Sequence, residues 1–204
     1  MSRGLIIIDA GHGKEGNPYP ILPGKFEGTQ NFYLALHLSR ELEARGFDTM
    51  LTRPEIDNDP SLVERGRMAG DNGAILFISL HSNAPGPATL PEQYDEVCGS
   101  EVYYSVSDEE RNATLALALN DAVVRTMNTA DRGIKTRRST EDPSIDFYSV
   151  LRNSVASGCK CAVLVEHGFH TNRADAAFLT DDACLSRLAE AEAEVIDKFF
   201  ARNS

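Results

Sequence analysis

Three segments place residue types suited to metal binding or proton transfer directly after apolar runs: "LIIIDAGHG" carries His12, "AILFISLHSNA" carries His81 and "CAVLVEHGF" carries Glu166. Each run is rich in β-branched residues and is stopped by small or polar ones, so each reads as a core strand with the polar residue at its end. The glycines flanking His12 remove Cβ crowding and let another group approach the imidazole. A fourth candidate, Glu27 in "GKFEGTQN", opens a helical pattern, a place where the helix dipole alone also favours an acid. Two histidines and a carboxylate make a zinc set of the open kind, with the fourth position left for water. Hydrolysis at such a set needs one further, unbound carboxylate to move a proton. Two histidines and two glutamates satisfy that count, and their placement leaves open which glutamate does which.

The elements that must bring these residues together alternate along the chain. After the strand at residues 4–9 and a Gly/Pro-rich loop, Asn31, Leu34, Ala35, Leu38 and Leu42 fall on one helical face that ends at Gly46. Residues 47–52 read as the next strand. Ser61 and Glu64 form a capping box opening a short helix that leads into the strand at 74–80. The Pro-rich loop at 82–99 is long enough to suggest a functional role. Residues 101–105 read as strand and 109–127 as helix; 133–138 and 147–152 are ambiguous. A strand at 162–166 and a helix at 182–202 complete the chain. Continuous apolar strands alternating with helices imply an α/β fold, a twisted, mainly parallel sheet covered by helices on both faces, formed by residues 1–204 as one domain. Such sheets bind ligands beyond the carboxyl ends of their strands. Three separate strand ends carrying His12, His81 and Glu166 therefore weigh more than any one of them.

Composition excludes several classes. With 42% hydrophobic and 25% charged residues the 204-residue chain is ordinary globular material. A net charge of -11 argues against a nucleic-acid partner. No segment approaches the length of a membrane span, and no secretory leader is visible because Asp9 interrupts the first apolar run. Cys98, Cys159, Cys161 and Cys184 lack a CxxC pair, and Cys161 reads as a strand residue that packs. No G-x-S-x-G elbow or phosphate-binding glycine loop occurs. His37 reads as a packed or solvated helix residue. His167 and His170 are expected either to touch substrate or metal or to form a turn, and Asp9 to orient His12 as an acceptor.

As an ordered set, "IIIDAGHG", "FEGTQNFYLALHLSRELEARGFDTMLTR", "LVERGRMAGDNGAILFISLHSNA", "GSEVYYS", "RGIKTR" and "CAVLVEHGFHTNRADAAFL" resemble the zinc-dependent N-acetylmuramoyl-L-alanine amidases of the Amidase_3 type over nearly the whole chain. The resemblance implies a zinc ion held by His12, Glu27 and His81, with Glu166 as the catalytic carboxylate. The implied reaction is cleavage of the amide between the lactyl group of N-acetylmuramic acid and the L-alanine of the peptidoglycan stem peptide. It implies peptidoglycan as the partner and action in the cell envelope or outside the cell, by a phage lysin or a bacterial remodelling enzyme.

Two positions depart from the family pattern: Ala10 stands where a proline is usual, and His167 replaces a small or apolar residue after the catalytic glutamate. No separate wall-binding domain or long inhibitory helix is evident, and a monomer is the expected state. A zinc amidohydrolase or exopeptidase acting on soluble peptides would share the metal set but differ in the groove, where residues 82–99 and 136–148 are expected to lie. A wall-binding module without catalysis is disfavoured by retention of all four residues. Arg137, Arg138 and Arg152 are candidates for binding a stem-peptide carboxylate, with a solvated surface role expected for at least two of them.

Overall fold

The computed structural model describes residues 2–202. Six strands form one sheet: β1 (Leu5–Ala10), β2 (Asp48–Leu51), β3 (Leu76–Asn83), β4 (Ser100–Tyr104), β5 (Asp131–Lys135) and β6 (Ala162–Phe169), in the spatial order β2-β1-β3-β6-β4-β5. β2, β1, β3 and β6 run parallel; β4 is antiparallel to β6, and β5 is parallel to β4. The sheet is mainly parallel, as the alternation of elements implies. The reversal at β4 follows from its connection, a loop with a 3₁₀ turn at Pro91–Glu96 instead of a crossover helix.

Helices α1 (Glu27–Ala44), α2 (Leu62–Asp71), α3 (Glu109–Met127), α4 (Ser149–Ala156), α5 (Arg173–Leu179) and α6 (Asp182–Arg202) cover the sheet. Strand alternation divides the interior. Ile6, Ile8, Leu76, Ile78, Leu80, Val163 and Val165 face α1, α3 and α6, and Ile7, Phe77, Ala162 and Leu164 face α2 and α4. Each fully buried aliphatic side chain stabilises the fold by roughly 1.5–3 kcal/mol relative to exposure. Cys161 and Cys159 pack one on each side, both buried and both free. The capping box forms as the sequence indicates: Glu64 N–H donates to Ser61 Oγ at 3.3 Å and Ser61 N–H donates to Glu64 Oε2 at 2.8 Å.

Two strands run further than their apolar stretches. β3 continues through Asn83 and β6 through Phe169, so His81 and Glu166 lie within strands instead of after them. They extend because each is flanked by partners that satisfy its polar backbone beyond the hydrophobic run. His81 pairs with Glu166, Glu166 pairs with Glu101 on β4, and the register slips between His81 and Asn83. The ambiguous segments resolve as β5 and, from Ser149, as α4.

Candidate active site

His81, Glu166 and Glu101 form a lateral row across β3, β6 and β4. β1 adds His12 just beyond its end, where Gly11 N–H still donates to the Leu80 carbonyl at 3.0 Å. Gly11 is required there by space: a Cβ on it would lie 2.2 Å from the His81 ring. His12 itself adopts a left-handed backbone, φ 62°, a conformation a side-chain-bearing residue holds only when its surroundings enforce it. The enforcing group is Arg65, which donates to the carbonyls of Ala10 at 2.7 Å and His12 at 3.1 Å. Asp9 does not orient His12, contrary to the expectation from its position. It is buried, accepts from Thr52, Ser79 and Arg65, and so holds the arginine that holds the loop.

Glu27 reaches the same place because α1 begins against the Gly-His-Gly loop. A Cβ on Gly28 would stand 1.8 Å from the Gly13 carbonyl oxygen, so only glycine permits this approach. Glu27 is 1% exposed. Its Oε1 lies 3.0 Å from His81 Nδ1 and accepts from the Ser82 N–H at 3.0 Å and from Asn31 at 3.2 Å; its Oε2 accepts from Asn17 at 2.8 Å. The His12 and His81 rings meet edge-on with centroids 4.9 Å apart, and His12 Nε2 is 3.5 Å from Glu27 Oε2. One donor atom from each of His12, Glu27 and His81 lies within 4.8 Å of the others. A tetrahedral ion with ligands at about 2.0–2.2 Å needs donors slightly more than 3 Å apart, so small side-chain shifts suffice.

Electrostatics support a place for positive charge. Burial lowers the pKa of the His12 imidazole and favours the neutral ring, whose Nε2 lies 3.1 Å from the Asn17 amide nitrogen. Burial opposes the charged forms of His81 and Glu27, yet their contact prevails, raising the imidazole and lowering the carboxyl. Between these donors a cation fits by charge and donor type. Glu166 stands outside this cluster. Burial pushes its carboxyl up to about 7, and its Oε2 is buried without a hydrogen-bond partner among the described residues. Such an orphaned acceptor calls for a functional account.

The other candidates divide. His37 Nε2 lies 2.9 Å from Asp182 Oδ1, remote from the cluster. His167 points away from the cluster: its Nδ1–H donates to the His81 carbonyl at 3.0 Å and its Nε2 is 2.9 Å from the buried Glu192. His170 stacks on Tyr19 and comes within 3.8 Å of Glu27 Oε2. Glu101, not singled out in the sequence, accepts from Asn83, Tyr103, Arg132 and Lys135. Asn17 also escaped the motif reading. Its one signal is a polar side chain in a Gly/Pro-rich loop, and it uses the left-handed φ of 52° that asparagine tolerates.

Gly11→Ala is expected to destabilise the fold by about 1–3 kcal/mol, because the new methyl must displace the His81 ring. Thermal unfolding of the purified variant reads this directly; an unchanged midpoint would show that the ring yields freely.

A mainly parallel sheet whose strand ends gather a His–Glu–His cluster beside a carboxylate whose Oε2 has no partner among the described residues defines an α/β enzyme domain with a candidate metal centre. The chain belongs to the Amidase_3 family, described as N-acetylmuramoyl-L-alanine amidase, whose profile matches residues 6–198. The uncharacterized protein YqiI of Bacillus subtilis is 31% identical over 196 residues, which cover 96% of this chain and 84% of YqiI. The N-acetylmuramoyl-L-alanine amidase LytC of the same organism is 32% identical over 187 residues, 91% of this chain and 33% of LytC, so the chain spans about a third of that relative. The solved structure of the N-acetylmuramoyl-L-alanine amidase AmiC2 of Nostoc punctiforme superposes with a TM-score of 0.79 at 29% identity, covering 98% of this chain and 99% of that one.

Proposed function

We propose that this chain is a zinc-dependent hydrolase of peptidoglycan that cleaves the amide joining N-acetylmuramic acid to the L-alanine of the stem peptide. Family membership supports the reaction, and the Glu166 Oε2, buried without a hydrogen-bond partner among the described residues beside the His–Glu–His cluster, is the single observation that carries the mechanism. His12, Glu27 and His81 are the residues that would hold the ion. When bound, zinc supplies Lewis-acid chemistry, polarising the scissile carbonyl and acidifying water at the site. Asn17, Asn31 and the Ser82 N–H keep the Glu27 carboxylate oriented toward both histidines. Glu166, held by the strand register beside His81, accepts the proton of the attacking water at Oε2 and returns it to the departing alanine nitrogen. The row of strands fixes these groups before substrate arrives, so little reorganisation is left to the reaction itself.

The site of action is the cell envelope or its exterior, in keeping with a wall substrate. No helix among the described residues is long and apolar enough to cross a membrane.

Digestion of purified peptidoglycan by the zinc-loaded protein, followed by labelling of new amino groups, tests the reading. New N-terminal L-alanine, lost on chelation and restored by zinc, is the expected result. Other amino termini would move the assignment to a peptidase, and the absence of any release would overturn it.

A further inference from the structure

Of the three arginines considered as carboxylate ligands, two are engaged within the fold. Arg138 pairs with Glu109 and donates to the Pro143 carbonyl. Arg152 donates to the carbonyls of Asp146 and Phe147. Arg137 differs: it is exposed and makes no ion pair among the described residues. Its guanidinium lies 3.6 Å from the Phe147 ring centroid and 5.8 Å from that of Tyr148. Stacking on aromatic rings orients an arginine while leaving N–H groups free to bind a planar anion bidentately.

The platform is built into the fold. The Phe147 N–H donates to the Arg137 carbonyl at 2.8 Å, and Arg138 forms an antiparallel bridge with Asp146. Asp146 is 2% exposed and is held by the Ser105 hydroxyl and the Val106 N–H. The platform also reaches the catalytic row. Tyr148 packs on Tyr103 with ring centroids 4.9 Å apart, and Tyr103 donates to Glu101, the cross-strand partner of Glu166. The nearby cations Arg132 and Lys135 are occupied by Glu101.

We propose that Arg137, seated on Phe147 and Tyr148, is a carboxylate-binding subsite that takes the free C-terminal carboxylate of the peptide arm of the substrate. The inference rests on the reaction proposed above and adds an orientation to it. In an acylated peptide the acyl carboxyl is consumed in the scissile amide, so the free carboxylate lies on the peptide side. The peptide arm therefore runs from Glu166 over Tyr103 and Tyr148 toward Arg137.

The test uses N-acetylmuramoyl-L-alanyl peptides with either a free C-terminal carboxylate or a carboxamide, alongside uncleavable ketomethylene analogues of both. Zinc-loaded wild-type protein is expected to bind the carboxylate analogue about tenfold more tightly than the carboxamide by calorimetry, the scale of one solvent-accessible charge-assisted contact. Arg137→Gln removes that preference by weakening the carboxylate ligand alone, Arg137→Lys recovers part of it, and Arg138→Gln leaves it intact. KM for the cleavable pair follows the same pattern. Equal affinity of the wild type for both analogues, equal loss on both in Arg137→Gln, or no binding of either overturns the subsite. Carboxylate-selective, Arg137-dependent binding without turnover would sustain the subsite and overturn the proposed reaction; turnover without carboxylate preference would do the reverse.

Discussion

Glu166→Gln is expected to bind zinc with wild-type stoichiometry and to release L-alanine termini about 10²–10⁴-fold more slowly, the range a positioned general acid–base group contributes. The expectation comes from two separate features of the site. Glu166 is absent from the donor cluster formed by His12, Glu27 and His81, so its loss leaves three ligands in place. It nevertheless pairs with His81 across β3 and β6, and its Oε2 is a buried acceptor with nothing to accept from among the described residues. The amide substitution keeps size and shape while removing the basic oxygen, so a loss of turnover with an unchanged melting curve isolates proton transfer from folding. Atomic absorption and the labelled-terminus assay on one preparation give both numbers. Loss of zinc together with activity would place Glu166 among the ligands, and activity within a few-fold of wild type would remove it from the mechanism.

The parts of this site legible in the sequence are those that depend on strand ends. His12, His81 and Glu166 each follow an apolar run, and a parallel sheet brings such runs to one edge whatever the loops do. Glu27 was legible only as a helix-opening acid. Its convergence depends on Gly28 packing against the Gly13 carbonyl, a tertiary contact that no periodicity encodes. β3 and β6 run past their apolar stretches for a similar reason. Apolar content stops at Leu80 and Val165, but the ladder continues through His81 and Glu166 because neighbouring strands still offer hydrogen bonds. The direction of β4 depends on the course of the chain between Asn83 and Ser100, and an alternating pattern is the same read either way. Arg65 was hidden most completely. In the sequence it is one more charged residue on a short amphipathic helix, and only the fold shows it to be buried beneath the Gly-His-Gly loop.

That burial sets the largest stability effect. Arg65 is 2% and Asp9 1% exposed, with Arg65 Nη1 3.0 Å from Asp9 Oδ1. Arg65 also donates to the carbonyls of Pro60, Ala10 and His12. Arg65→Met keeps much of the packing volume but strands the Asp9 carboxylate with only the Thr52 and Ser79 hydroxyls as donors. Removing one member of such a buried pair costs about 3–5 kcal/mol, a large part of the roughly 5–15 kcal/mol that holds a domain together. At about 2–4 °C per kcal/mol for a chain of this size, the thermal midpoint should fall on the order of 10 °C. The second substitution Asp9→Asn then distinguishes the causes. If the stranded charge dominates, the double variant recovers much of the lost stability, because the neutral amide is cheaper to bury and still bonds the two hydroxyls. If the arginine matters chiefly as the clamp that keeps His12 at positive φ, stability stays low and zinc affinity falls in both variants. A midpoint within 2 °C of wild type in Arg65→Met would contradict both accounts, leaving the Gly-His-Gly loop held by its own glycine packing and by Glu27.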